Sequence, residues 1–538
     1  MMMDTQLTLD SMIKRTEQYF PKKEVISRTQ IGVQTFTYKE IVSRMKRLGS
    51  VLESLGVKKG DRVGTFAWNH HRHLEAYFSV PSIGAVLHTI NIRLSQEHLI
   101  YIINHAEDKV LLIDEDLLPL IESIKDELNT VEAFVVMTDN ETLPGTSLQP
   151  VYSYEELLDK AESTYEFSAE IEENDPAGIC YTSGTTGKPK GVVYSHRGIY
   201  LHSMAVGMKD TIGLSESDII LPVVPMFHAN AWGMPFAATW MGTTQVLPGP
   251  NMTPKIIAEM IEKYKVTFSA GVPTIWLGLL KELEQGSYNT SSLRALLCGG
   301  SAAPKGMIHT YESKYGIPFL HGYGMTETSP LVTVTRIKSY QTDLSVDERL
   351  EILSKQGLVV PGIEIKVVNE NGEVQPNGKD MGELLIRGPW IADSYYKGDR
   401  NSDAFQGGWL HTGDVVTVDE EGVVKIVDRT KDLIKSGGEW ISSVDLENAI
   451  MAHESVFEAC VVSVPDPKWQ ERPVACIVLK DEPQHQITKD DIIEFLRPQF
   501  AKWWLPDEVL FIDEIPKTSV GKFLKVKLRE QVEKQLTL

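Results

Sequence analysis

The sequence predicts an α/β protein of more than one domain, and three observations carry the prediction. From Phe36 a helix–turn–strand order recurs over roughly 300 residues, the signature of largely parallel sheets. From Leu358 the pattern changes to apolar–polar alternation around Asn-Gly and Gly turns, which reads as antiparallel β, a small barrel-like subdomain. The last hundred or so residues mix helical and strand patterns as a separate α+β unit. A chain of 538 residues is also too long for one core.

In chain order, FTYKEIVSRMKRLGSVLESLGV opens the globular region. Thr37 and Glu40 have capping-box spacing, and Ile41, Met45, Leu48, Leu52 and Leu55 share one helical face that Gly56 ends. GDRVGTFAW gives a turn and a strand. NHHRH, Asn69 to His73, groups three histidines; further metal ligands are not signalled nearby, so a polar helix start is expected. Glu122 to Asn174 reads as acidic and loop-rich.

YTSGTTGKPKG, Tyr181 to Gly191, packs three Gly, four Ser/Thr hydroxyls and two Lys into eleven residues between two strand-like runs. Such a loop exposes backbone N–H groups that surround phosphate oxygens, and its lysines add positive charge. It departs from the Walker pattern, because two residues separate Gly184 from Gly187 and Pro189 follows Lys188. His196 to Met208 has helical character. Ile220 to Ala238 is apolar, with three prolines and an embedded His228. LRALLCGGSAAP and IPFLHGYGMTETSP each read as a strand running into a Gly-rich loop, where parallel sheets place ligands. Near the C-terminus, VDLENAIMAH and DIIEFLRPQF are helical and EACVVSVPD and PVACIVLK are strands.

Together these motifs resemble the acyl-adenylate-forming superfamily of acyl-CoA synthetases, luciferases and adenylation domains, over about residues 10 to 530. The resemblance implies two stacked, mainly parallel α/β subdomains plus the barrel-like one in residues 1–428. A hinge at 429–434, with Asp432 at its pivot, then leads to a mobile C-terminal domain, 435–538. It implies that Thr182, Ser183, Gly184, Thr185, Thr186, Gly187 and Lys190 hold the ATP phosphates, with Thr182 near Mg²⁺. Gly299 to Ala302 (Gly300, Ser301 and Ala302 as the binding residues) would flank adenine. In HGYGMTE (His321, Gly322, Tyr323, Gly324, Thr326, Glu327), Tyr323 would stack on adenine, Thr326 would contact the α-phosphate and Glu327 would hold Mg²⁺. Asp414 matches the ribose-binding acid, as a carboxylate accepts both vicinal hydroxyls. Arg429 falls on the ribose or phosphate side. Lys431, Lys435 and Trp440 match adenylate contacts of long-chain members.

Lys522 matches the mobile catalytic lysine, and His228 joins Lys522 and Glu327 in the catalytic set. MFHANAW resembles a segment between acyl tunnel and nucleotide, with Trp232 as a rotatable gate. Ala229, Trp232, Gly437 and Gly438 then line the acyl and pantetheine path. Many relatives carry Pro shortly after this Gly pair, where Ile441-Ser442-Ser443 stands here. VVPMFHANAWGMPFAAT and KSGGEWISSVDLENA bring the match closest to bacterial medium- and long-chain fatty acyl-CoA synthetases. That implies a fatty acid, ATP and CoA as substrates, Mg²⁺ as cofactor, and a homodimer.

A net charge of −21 argues against nucleic acid or an anionic membrane as the main partner. The four cysteines are scattered through apolar runs, so buried thiols are expected rather than disulfides or zinc. No signal peptide, peroxisomal ending or apolar run of membrane-spanning length appears, so the expectation is a cytoplasmic protein without a transmembrane segment, peripheral membrane contact being left open. The rivals are a CoA ligase for aryl or short-chain acids, an adenylating enzyme loading a carrier protein, and an inert acyl- or nucleotide-binding regulator on the same fold.

Overall fold

The computed structural model describes residues 2–162, 164–167, 169–182, 187–398, 402–437, 439–480, 487–518 and 521–536. Ser183, Gly184, Thr185, Thr186 and Gly438 lie outside the described residues.

Two sheets form the body. Across the N-terminal sheet the order is Val151–Ser153, Ala133–Met137, Asp108–Asp114, Arg62–Phe66, Val86–Thr89, Pro176–Tyr181, Gly191–Ser195, parallel except for the last pair. Its strands are covered on both faces, which is why Val110 to Ile113 form an unbroken apolar run. The central sheet carries six parallel strands: Phe319–Gly324, Ala295–Cys298, Phe268–Gly271, Ile219–Pro222, Thr244–Leu247 and Glu24–Arg28. Antiparallel strands extend both of its edges. Asn69, just past strand Arg62–Phe66, joins the two sheets. Its amide donates to Pro222 O (2.8 Å) and Val224 O (2.9 Å), and its carbonyl accepts Met226 N (2.7 Å).

Local sequence explains the elements. Helix Tyr38–Ser54 starts where Thr37 and Glu40 close a reciprocal capping box, and it buries Ile41, Met45, Leu48 and Leu52. The histidine cluster does start a helix, His71–Ser82. The rings are core groups, however: His70 pairs with Asp114 at 2.7 Å, His71 with Ser27 at 2.9 Å, and His73 with Thr65 at 2.9 Å. All four cysteines are free and buried.

The stretch from Glu122 to Asn174 corrects the loop-rich expectation. Ala133–Met137 is a fully buried strand inside the N-terminal sheet, followed by Val151–Ser153 and helix Tyr154–Lys160. A five-residue apolar run between acidic flanks is enough for a strand covered on both faces, and the surrounding charge hid it.

Glu364–Asn369, Gly382–Arg387, Trp409–Val418 and Val424–Arg429 build the antiparallel unit predicted from Leu358. The C-terminal unit packs helix Ser443–Met451 and helix Lys525–Gln535 on a sheet centred on Val456–Asp466 and Gln470–Leu479. It meets the body at the end of Val424–Arg429. Ser442 Oγ donates to Val427 O (2.6 Å), and Ser443 donates to the Asp428 carboxylate from its N (2.8 Å) and Oγ (2.5 Å).

Candidate active site

Loops at the carboxyl ends of the central strands open onto one cavity of about 1040 Å³. The N-terminal sheet contributes Thr182, Gly187 and Lys190. The central sheet contributes His228, Gly300, Ser301, Ala302 and the stretch from His321 to Glu327. The antiparallel unit contributes Asp414 and Arg429, and the C-terminal unit Lys522; Lys431 and Asp432 line the cavity as well. Met252, Ile257, Ile275 and Leu277 give another part of its wall an apolar lining.

The base of the glycine- and hydroxyl-rich loop, Tyr181 to Gly191, is tied across its neck. Thr182 N donates to Lys190 O (2.9 Å), and Lys190 N donates to Thr182 Oγ1 (3.0 Å). After strand Ala295–Cys298 the chain turns through Gly300 at φ +83°, and Lys522 lies against it. A Cβ there would sit 3.2 Å from Lys522 Cε. In the second loop, a Cβ on Gly324 would fall 1.8 Å from Pro330 O, so only glycine fits. The ring of His321 bridges to the first loop, with its nitrogens 3.0 Å from Ser354 O and 3.3 Å from Ser301 O.

Asp414 and Arg429 are cross-strand neighbours on Trp409–Val418 and Val424–Arg429. The Asp414 carboxylate accepts the Tyr323 hydroxyl at 2.6 Å and stands 3.3 Å from Arg429 Nε. That carboxylate is the main reason the Arg429 guanidinium is held above its usual range. Lys522 sits in a turn closed by Thr518 N on Lys522 O (2.7 Å) and Lys522 N on Thr518 Oγ1 (3.2 Å). Burial, then the Arg429 charge, lower its ammonium to about 8, against the pull of Asp414 and Glu327. Burial, then Lys522, lower His228 to about 3, so its imidazole is neutral at physiological pH.

His228 enters a turn that runs against local preference. Ala229, Asn230, Ala231, Trp232 and Gly233 all have positive φ, a left-handed turn that L-residues adopt only under constraint. Buried Asn230 supplies part of that constraint, its side-chain oxygen lying 3.2 Å from both Thr89 Oγ1 and Cys180 Sγ. The turn carries the Trp232 indole to the loop after Ala295–Cys298, where a Cβ on Gly299 would touch it at 3.1 Å.

Not every expected residue gathers here. Lys435 and Trp440 face each other on the hairpin Ile434–Ser436/Glu439–Ile441, with Nζ 5.4 Å from the indole ring, and they do not line the cavity. Gly437, at the tip, donates its N–H to Trp469 O (2.7 Å) and packs on that indole instead. The hairpin belongs to the C-terminal unit, which presents Lys522 to the cavity in this arrangement. The sequence reading missed Tyr395, whose hydroxyl donates to Glu327 Oε1 at 2.8 Å. Its sequence signal is a Tyr-Tyr pair in the connection GPWIADSYYKG.

Among the described residues no group of three or more His, Cys, Asp and Glu could hold a metal ion. One buried carboxylate, Glu327, with the Thr182 hydroxyl on the same cavity fits Mg²⁺, which binds through one or two carboxylates plus phosphate and water.

Glycine-rich loops, a buried carboxylate beside an arginine and a cavity lysine on a parallel α/β body suit an enzyme that holds a nucleotide. The chain belongs to the AMP-binding enzyme family, whose pattern matches residues 13–396, while the family's C-terminal domain matches residues 445–522. It is 50% identical to a long-chain-fatty-acid–CoA ligase of Thermus thermophilus, over 98% of this chain and 96% of that protein. It is 42% identical to a 3-methylmercaptopropionyl-CoA ligase of Ruegeria lacuscaerulensis, over 100% and 99%. In structure it is similar to an anthranilate CoA ligase in complex with anthranoyl-AMP (TM-score 0.87, 26% identity, covering 100% of this chain and 99% of that one).

Proposed function

We propose that this chain, an AMP-forming acid–CoA ligase, is a fatty acyl-CoA synthetase for medium- or long-chain acids. The fatty carboxylate attacks the α-phosphorus of ATP and pyrophosphate leaves. The CoA thiol then attacks the acyl-adenylate carbonyl and AMP leaves. The observation that carries this reading is Lys522 in one cavity with Asp414, Arg429, Glu327 and an apolar wall.

In the first step Tyr323, Gly300, Ser301 and Ala302 hold the base, Asp414 and Arg429 the ribose, and Thr182, Lys190 and Thr326 the phosphates. Lys522 meets the charge that develops on the phosphoryl oxygens. Glu327 and Thr182 would hold Mg²⁺, which supplies charge neutralisation on the polyphosphate. Trp232 divides the acyl and nucleotide ends. Residues 1–428 form the adenylating body, 429–434 the hinge about Asp432, and 435–538 a domain that turns to bring Gly437, Lys435 and Trp440 to the thiol step. Such alternation keeps water from the mixed anhydride. A homodimer and a cytoplasmic setting complete the reading; among the described residues no helix is long and apolar enough to cross a membrane.

The test is acyl-CoA formation with ATP, Mg²⁺ and CoA over linear acids from acetate to oleate, with benzoate included and AMP followed in parallel. A maximum at medium or long chains is expected. A maximum at short chains or benzoate would overturn the substrate class. Pyrophosphate exchange without acyl-CoA would move the acceptor from CoA to another thiol, such as that of a carrier protein.

A further inference from the structure

We infer that Tyr395 is a positioning residue that fastens the phosphate loop to the metal-side carboxylate. Lys190 belongs to the N-terminal sheet, just ahead of Gly191–Ser195, and Glu327 follows Phe319–Gly324 of the central sheet. Tyr395 comes from a third place, the connection after Gly382–Arg387. Its hydroxyl donates to Glu327 Oε1 at 2.8 Å, and its ring face carries the Lys190 ammonium 4.7 Å from the centroid.

The backbone around it repeats the same bridge. Ala392 N donates to Glu327 O (2.8 Å), and Tyr396 N donates to Gly191 O (2.8 Å). Phe405 packs edge-on against the Tyr395 ring at 5.1 Å, which fixes the ring plane. One side chain therefore bridges the Lys190 ammonium, on its ring face, and the buried Glu327 carboxylate, on its hydroxyl. With Oε1 engaged by the phenol, the Glu327 carboxylate is held in one orientation, and it would hold a divalent cation from that orientation. Partners of this kind orient a metal ligand as much as its own rotamer does. The aromatic face in turn holds the long Lys190 side chain in one place. A residue needed only for packing would need the ring and not the hydroxyl.

This inference rests on the proposal that Glu327 and Lys190 serve ATP. The experiment uses the full chain, Mn²⁺ as the paramagnetic probe and α,β-methylene-ATP as the nucleotide. Bound Mn²⁺ is read by electron paramagnetic resonance, and nucleotide affinity without metal by calorimetry. Tyr395→Phe should weaken Mn²⁺ binding in the ternary complex by about 10- to 100-fold, with metal-free nucleotide affinity unchanged. Tyr395→Trp, which keeps an aromatic face, should share the Mn²⁺ defect. Tyr395→Leu should lose nucleotide affinity as well, because Lys190 loses its platform. In a Glu327→Gln background Tyr395→Phe should cost nothing further, since the two act as one unit. Wild-type Mn²⁺ affinity in Phe and Trp variants that melt normally would overturn the role. A wild-type protein that binds neither nucleotide nor Mn²⁺ would overturn the nucleotide reading itself, and this inference with it.

Discussion

Lys522 is the residue whose surroundings make the sharpest demand on pH. Its charge is useful only when protonated, and the cavity lowers it to about 8 by burial and by Arg429. In the free enzyme kcat/KM for ATP should hold a plateau below pH 8 and fall about tenfold per unit above it, because the charged form is lost there. Bound polyphosphate restores the ammonium, so the break in kcat should lie at higher pH than the break in kcat/KM. Coincident breaks would mean another group sets them. Lys522→Ala should lower acid-dependent pyrophosphate exchange by about 10²–10³ while sparing thiol attack on preformed acyl-adenylate. Trp232 makes a different demand. Its indole lies where a Cβ on Gly299 would meet it at 3.1 Å, and in the proposed function it divides the acyl end from the nucleotide, so Trp232→Ala should leave ATP affinity intact and reshape the rate profile across chain lengths. An unchanged profile would leave Trp232 a packing residue.

Among the elements, legibility followed how openly a residue's chemistry states its backbone. The Thr37–Glu40 cap was readable because Thr followed three residues later by Glu closes a reciprocal helix cap, and the Gly300 turn because glycine reaches a positive φ that other residues avoid. The left-handed turn from Ala229 to Gly233 was not readable. Alanine and tryptophan do not ask for positive φ, and distant partners such as Thr89 and Cys180 impose it. Tyr395 escaped for the same reason, since its meaning lies in two other sheets. Gly300 puts the loop argument to a test. Alanine there must hold φ +83° and place Cβ 3.2 Å from Lys522 Cε, at a conformational cost of about 1–2 kcal/mol. Gly300→Ala should therefore slow adenylation with little effect on the thiol step. Gly306→Ala, in helix Lys305–Tyr315 with open space at its Cβ, should stabilise the fold by about 0.5–1 kcal/mol and leave both steps alone. Melting curves and the two half-reactions read both outcomes.

At the scale of the whole molecule, the question is what seats the C-terminal unit so that Lys522 reaches the cavity. The contacts flank the proposed hinge. On the body side stands Asp428, buried, its carboxyl pushed up by burial against the pull of Lys525. On the other side Ser443 opens helix Ser443–Met451 and gives Asp428 both its N–H and its hydroxyl. Lys525, three residues beyond Lys522, donates to that same Ser443 hydroxyl at 2.5 Å and pairs with Glu447 at 2.7 Å. Glu447, Ser443 and Lys525 all lie in the C-terminal unit and can move together; Asp428 is the member that would stay behind. Asp428→Ala removes two hydrogen bonds to a buried partner, about 1–3 kcal/mol of seating. That energy shifts a two-position equilibrium by roughly 5- to 150-fold. Adenylation should fall, limited proteolysis between 429 and 434 should quicken, and the C-terminal core should melt as before, because Leu446, Ile450 and Leu528 pack within their own unit. If adenylation falls while proteolysis at the hinge is unchanged, Asp428 acts on the nucleotide side of the cavity and the seating falls to the other contacts across the junction, Ser442 on Val427 O and Lys425 with Asp445 (2.8 Å).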